Sequence, residues 1–383
     1  MNIVFLQCTQ SYGYAFSAAN VKTEFLARGF VELGDTVTIV NSVVGSNMVP
    51  SHEKVQRTYC PVISYHLYYN RFVSWIVNVP KLYADLESLY IKGQKNILIL
   101  EFPDYHLYLL YVLIGRLLGY KITVISHEWG PTVKSVHILR KPSVWLYSKT
   151  FGYLSDCILP ISQYIIDKIQ KFKKPYLKLP ILADFNGNKD VDLPLIDGDY
   201  FAYCGQADYY RAYNLILEGF VLHHKKHFNT KLILVLSGKQ EYIDKVNGFI
   251  QSHHLDGFVS VKQKVPYNEL LNFYQHAKAL LIPLDPASEQ DKARFSQKIA
   301  EYISTKTPII TNNVGEIPYY FTDRENAIVL NSFSGESFSG AMNFSIENKD
   351  AVHNIGINGF DLGREKFDYK SNVKSLQAFF AKI

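Results

Sequence analysis

A chain of 383 residues is too long for one ordinary domain, and two of roughly 150–200 residues each are expected. With 48% hydrophobic and 20% charged residues it can build packed cores, which argues against disorder. A net charge of +5 is too mild for the basic stripe of a nucleic-acid binder, so no nucleic-acid partner is expected.

The start, MNIVFLQC, runs straight into a strand without a basic region or cleavage site, so no signal peptide is expected. Strands then read Asn2–Gln7, Val37–Asn41, Asn96–Glu101, Ile122–Ser126 and Cys157–Ile161, with amphipathic stretches such as Ala18–Leu33 between them. Leu26, Phe30 and Leu33 share one face of that stretch, and Gly34 closes it as a helix C-terminus. The most apolar run, Leu107–Ile114, is broken by Gly115 and Arg116 and falls short of the roughly 20 residues of a membrane span. The protein is expected to be cytoplasmic, soluble or peripheral.

Around Leu179–Leu195 the texture changes: the segment LPILADFNGNKDVDLPLIDGD holds two Pro, two Gly and five Asp without periodicity, which reads as an interdomain linker. The alternation restarts with strands Tyr200–Cys204, Lys231–Ser237, Val259–Val261, Ala279–Pro283, Pro308–Asn312 and Ala327–Leu330. Helices Tyr213–His224, Tyr242–His253, Asn268–His276 and Gln297–Ser304 lie between them, and an amphipathic helix, Asp368–Ile383, closes the chain. The fold class is therefore α/β, with two Rossmann-like doubly wound domains: an N-terminal one over 1–185, a second over 186–365, and a C-terminal helix, 366–383, packing back on the first. In such sheets ligands bind at the carboxyl ends of the strands.

Four cysteines (Cys8, Cys60, Cys157, Cys204) show no CxxC pair; Cys8 and Cys204 end apolar runs and read as small core hydrophobes. The 28 Tyr and 24 Phe suit sugar and nucleobase contacts, although an AT-rich genome would favour the same residues. The richest segment is Pro283–Phe321, where a strand ends, a polar loop follows and a helix begins near Phe295 or Ser296. Backbone N–H groups at Ser296 and Gln297, with Lys298 and Arg294, suit a diphosphate; Glu301 is placed to accept from two ribose hydroxyls. The plainer alternative makes Ser296 a helix cap and pairs Glu301 with Lys298 or Lys306.

Phe295-Ser296-Gln297-Lys298-Ile299-Ala300-Glu301-Tyr302, followed by Thr307-Pro308-Ile309-Ile310 and Gly315-Glu316-Ile317-Pro318, resembles the donor-site helix and loop of family 4 glycosyltransferases, which have the GT-B fold. The loop Tyr203-Cys204-Gly205-Gln206-Ala207-Asp208-Tyr209-Tyr210-Arg211 resembles that family's G-R-x4-K-G segment, with Gly205 matching, Arg211 at the Lys position and Gln206 replacing the Arg. The first Glu of the family's E-x7-E pair falls on Ala293, with Glu289 or Asp291 as substitutes. His127, in SHEWGPT, resembles the family's His that hydrogen-bonds the donor sugar, and Gly13 lies in a loop resembling the one that meets acceptor and phosphate. Glu101-Phe102-Pro103-Asp104 ends a strand without an assigned role.

The resemblance implies a retaining, metal-independent transfer from a nucleotide-diphosphate sugar to a glycan or lipid-linked acceptor, with no cofactor and no metal site. It implies roles in catalysis for His127, Arg211, Lys298 and Glu301, and donor contacts for Gly205, Gln206, Ser296, Gln297, Gly315 and Glu316. A nucleotide-sugar epimerase and a degenerate, purely binding GT-B protein remain alternatives, the second favoured by Ala293 and Gln206. A dinucleotide dehydrogenase is disfavoured, because no G-x-G-x-x-G follows Asn2–Gln7. The run Lys168, Lys171, Lys173, Lys174 and Lys178, with Phe172, Tyr176 and Leu177 interleaved, reads either as a solvated face or as a contact for an anionic membrane. The use of lipid-linked acceptors by similar transferases favours the membrane.

Overall fold

A computed structural model describes residues 1–7, 11–14, 17–44, 59–66, 71–101, 105–133, 136–186 and 197–383. The chain divides into two compact units. One comprises Met1–Leu182, Ala293–Gln297 and Tyr369–Ile383; the other comprises Ala183–Lys292 and Lys298–Asp368.

In the first unit the order is β1 (Asn2–Gln7), α1 (Ala18–Glu32), β2 (Thr36–Val44), β3 (Val62–His66), α2 (Arg71–Leu89) and β4 (Asn96–Glu101). It continues with α3 (Tyr105–Leu117), β5 (Lys121–Ser126), α4 (Lys141–Leu154), β6 (Cys157–Pro160) and α5 (Gln163–Ile169). The sheet is parallel throughout, in the order β3-β2-β1-β4-β5-β6. β1 and β4 are buried along their whole length, which is why they read as unbroken apolar runs rather than alternating ones. Ser17 caps α1 by accepting from the Asn20 N–H, and Gly34, at φ +84°, ends it in the left-handed region, as its position after Leu33 implied.

The second unit repeats the pattern with β7 (Tyr200–Gln206), α6 (Tyr210–His224), β8 (Lys231–Ser237), α7 (Gln240–Ser252), β9 (Val259–Lys262) and α8 (Tyr267–His276). Then come β10 (Ala279–Ile282), α9 (Glu289–Ala293), α10 (Gln297–Ile303), β11 (Ile309–Asn312), α11 (Ile317–Tyr320), β12 (Ile328–Leu330), α12 (Gly335–Glu347) and α13 (Lys349–Lys366). Read from the opposite edge its order is β9-β8-β7-β10-β11-β12, the same topology as the first sheet. The last helix, α14 (Tyr369–Lys382), belongs to the first unit. It packs on α1, with the Phe30 and Phe380 rings stacked at 6.0 Å and Val373 filling the space where Gly29 lacks a Cβ.

Several elements differ from the sequence reading. The strand Val62–His66 and the helix Arg71–Leu89 were not anticipated; Pro80 inside that helix interrupts the local signal. The segment after Pro283 is not simply a loop, because Glu289–Ala293 is helical. The linker expected from Leu179 is core at its start: Leu179, Ile181 and Leu182 are buried, and Leu179 and Leu182 join the apolar core of the first unit. Residues 187–196 of that linker lie outside the described residues, as do Cys8 and Phe102-Pro103-Asp104.

Candidate active site

In both sheets the strand order reverses direction between the first and fourth strands, β1 and β4 in one, β7 and β10 in the other. Neighbouring crossovers there leave in opposite directions, so the strand ends stay uncovered and available to a ligand. The candidate residues gather at these two switch points.

In the first unit, Glu101 is the last residue of β4 and His127 follows β5 directly. The His127 Nε2 lies 2.8 Å from the Glu101 Oε1, and both side chains are largely buried. Lys22, on α1, is fully buried and donates from Nζ to the Leu179 carbonyl at 2.7 Å. Burial pushes its ammonium down to about 7, with the Glu101 carboxylate opposing that shift. The loop after β1 is pinned where it is described: the Tyr12 N–H donates to Asn41 Oδ1 at 2.8 Å, and Asn41 Nδ2 donates to the Tyr12 carbonyl at 2.9 Å. Gly13 takes φ +83° in this turn, a conformation that glycine adopts without strain.

In the second unit, Arg211 begins α6 just after β7, and Asp285 follows β10. The Arg211 Nε lies 3.2 Å from Asp285 Oδ2; the carboxylate is buried and the guanidinium is 73% exposed. The other oxygen of Asp285 accepts from the Ala287 N–H at 2.9 Å, and the Asp285 N–H donates to Asp291 at 3.0 Å. A preorganised loop thus holds one edge of a guanidinium while leaving most of it available. α10 reaches the same place. Tyr302, fully buried, accepts from the Cys204 N–H at 2.9 Å, and Lys298 and Glu301 both act electrostatically on the Cys204 thiol. Burial raises that thiol most, Lys298 opposes the shift, and Glu301 adds to it. The Cys204-Gly205-Gln206 end of β7, Arg211, Lys298 and Glu301 therefore form one neighbourhood.

A Cβ on Gly205 would meet the Tyr203 hydroxyl, so a larger residue there would have to displace the end of that ring. Gly315 takes φ +62°, and a Cβ on it would meet the Asp291 carbonyl at 2.7 Å. Glu316, beside it, is buried. Ser296 directly precedes α10, while the Gln297 side chain is engaged at both ends, its Oε1 accepting from the Leu182 N–H and its Nε2 donating to the Leu182 carbonyl. Ala293 is fully buried and its carbonyl accepts from Ser162 Oγ at 2.6 Å. The two proposed substitutes are otherwise employed: Asp291 on the Asp285 backbone, and Glu289 on Lys292 at 2.8 Å.

Residues 191–361 match the family model for glycosyl transferases group 1. Residues 191–361 thus form a domain of the group 1 glycosyl transferase type, and the chain as a whole has the GT-B fold. Among solved structures, Anabaena HepE in complex with UDP and glucose superposes on the transferase with a TM-score of 0.75 at 11% identity, covering 100% of both chains. Sucrose-phosphate synthase from Thermosynechococcus elongatus gives 0.73 at 15% identity over 99% of this chain and 98% of that one. A glycosyltransferase from Rickettsia africae gives 0.73 at 14% identity over 100% and 98%. No curated protein sequence matches the transferase.

Sequence reasoning missed Asp285 and Tyr302 as organisers of this neighbourhood and Lys22 in the first unit, and it marked Glu101 at a strand end without giving it a role. Asp285 had one local signal, its place three residues after a buried strand. The others become visible only when helix and sheet are packed. A cavity of about 590 Å³ lies elsewhere in the second unit, lined by Lys231, Phe258, Lys262, Asn268 and Phe273, and includes none of the transferase's candidate residues.

Proposed function

We propose that the transferase moves a sugar, with retention of anomeric configuration and without a metal, from a nucleoside diphosphate sugar to a hydroxyl of a glycan or lipid-linked acceptor. The observation that carries this reading is the convergence of Arg211, Lys298 and Glu301 on the end of β7 at the switch point of the second sheet. Two cations and one carboxylate suit a nucleoside diphosphate: Arg211 and Lys298 face the phosphates, and Glu301 accepts from the ribose hydroxyls. Gly205, Gln206, Ser296, Gln297, Gly315 and Glu316 surround the donor, the Gln297 contribution reduced to its backbone N–H. α10 has only seven residues, so the full charges of Arg211 and Lys298 supply most of the stabilisation of the departing diphosphate. The complex of Anabaena HepE with UDP-glucose supports a donor of this chemical class.

In the proposed step the bond from the sugar's anomeric carbon to the phosphate oxygen breaks. The acceptor oxygen bonds to the same face of that carbon, and its proton passes to the departing phosphate. His127 hydrogen-bonds the donor sugar, with Glu101 fixing its ring, and the Gly13 turn meets the acceptor. The enzyme works in the cytoplasm, peripherally attached to the inner face of the plasma membrane. No helix among the described residues is long and apolar enough to cross a membrane.

A second reading, a GT-B protein that binds a nucleotide sugar without turning it over, is favoured by Ala293, whose buried setting leaves no carboxylate for the donor sugar hydroxyls. Incubation with a panel of nucleotide sugars in excess chelator separates the two. Release of nucleoside diphosphate is expected, the sugar passing to water with its anomeric configuration unchanged at the moment of release. Donor binding without release supports the second reading, and activity lost to chelator but restored by manganese overturns metal independence.

A further inference from the structure

The first unit carries a concentrated set of exposed apolar side chains. Ile138 and Leu139, in the 3-10 turn Ile138–Arg140, are 70% and 81% exposed. From there a stripe runs along α4 at four-residue spacing: Lys141, Trp145, Lys149, Tyr153. Residues four apart share a helix face, and all four are exposed. Trp145 and Tyr153 are 57% exposed each, and the Lys149 ammonium lies 5.7 Å from the Trp145 ring centroid. The other face of α4, with Ser148, Phe151 and Gly152, is buried, so the stripe is the helix's outward side.

The charge agrees with that placement. Residues 134–178 hold nine Lys or Arg against Asp156 and Asp167, a net +7 where the whole chain carries +5. Asp156 is already paired with Arg116 at 2.8 Å, and Asp167 accepts from Gln163 at 2.9 Å. Lys171, itself exposed, flanks α4, its Nζ reaching the Ser148 carbonyl at 3.4 Å. Phe172 does not: it is buried against Phe151, at 5.1 Å between ring centroids, and so leaves the set of interleaved aromatics read from the sequence. Tyr176 remains exposed.

We propose that the His137–Tyr153 face, flanked by Lys171 and Lys173, docks on an anionic lipid bilayer. The inference rests on the peripheral placement above and deepens it by naming the surface and its partner. Ile138 and Leu139 enter the acyl boundary, Trp145 and Tyr153 sit at headgroup depth, and the lysines meet lipid phosphates. A second copy of this chain is a poor occupant, because two faces of this charge repel each other.

The test uses the full chain and vesicles of phosphatidylcholine with or without phosphatidylglycerol. Binding is expected only with phosphatidylglycerol, weakening as salt rises, with Trp145 emission shifting to the blue and that shift absent in Trp145→Phe. Replacing Lys141, Lys149 and Lys171 by Gln should weaken binding about a hundredfold, at about fivefold per cation. Ile138→Ser with Leu139→Ser should weaken it further while Tm stays at the parent value. Equal binding to neutral vesicles, no binding at all, or full binding by the Gln variant overturns the proposal. So does a dimer in solution that the Ser substitutions dissolve. Vesicle binding is read without turnover, so a catalytically silent chain would overturn the proposed reaction and leave this surface standing.

Discussion

Tyr302→Phe removes a single oxygen from the helix that carries Lys298 and Glu301. That hydroxyl accepts the Cys204 N–H at 2.9 Å within a fully buried side chain. β10 pairs with β7 only through Phe201 and Ala202, so the strand ladder on that side stops short of Cys204. The substitution therefore leaves a buried N–H without a partner, at a cost of about 1–3 kcal/mol. Spread over a unit of this size, that lowers Tm by about 2–12 °C. Differential scanning calorimetry measures the shift, and amide hydrogen exchange at Cys204 should lose protection at the same time. Affinity for UDP well below the new Tm should change little, since Lys298 and Glu301 keep their charges. A Tm within about 1 °C of the parent, with Cys204 still protected, would refute the docking of α10 on β7 through this bond.

Glu301→Gln should weaken UDP binding at least about tenfold by calorimetry, because a charge-assisted bond to the ribose becomes a neutral one; unchanged affinity in a folded variant excludes Glu301 from the ribose site. Arg211→Ala should leave Tm nearly unchanged, since a pair this exposed on one side is worth at most about 1 kcal/mol, while turnover of the nucleotide sugar falls. Equal losses in binding of the free nucleoside and the nucleoside diphosphate would show that Arg211 does not face phosphate. His223 is buried between Asn343 and Thr230, and burial holds its imidazole down to about 4, with His227 and His224 adding to the shift and Asn343 and Glu347 opposing it. The unfolded chain takes up this proton near its ordinary value of 6.5 while the folded chain stays neutral. Stability from this site is thus full above pH 6.5 and lost as pH falls towards 4, by about 3 kcal/mol in all. His223→Gln should flatten the Tm profile in that window, and an unchanged slope would reject the assignment.

Much of this protein was legible as text. The buried parallel strands are unbroken apolar runs, so β1, β4, β5, β7, β8 and β10 announce themselves without any tertiary information. Gly34 marks the end of α1 by its own backbone preference, and the spacing from Phe295 to Glu316 carries the resemblance to the transferase family. Such features depend on neighbours a few residues apart. What sequence could not decide were the contacts that join distant segments: Tyr302 under Cys204, Asp285 against Arg211, Glu101 beside His127. It also could not decide which members of a mixed run face outward. Phe172 and Trp145 look equally suited to a surface, yet Phe172 fills the space left by Gly152 on α4, while Trp145 stands on that helix's open side. Side-chain chemistry is written locally, but its partner is chosen by how helices lie on sheets, and that arrangement exists only once the cores have packed.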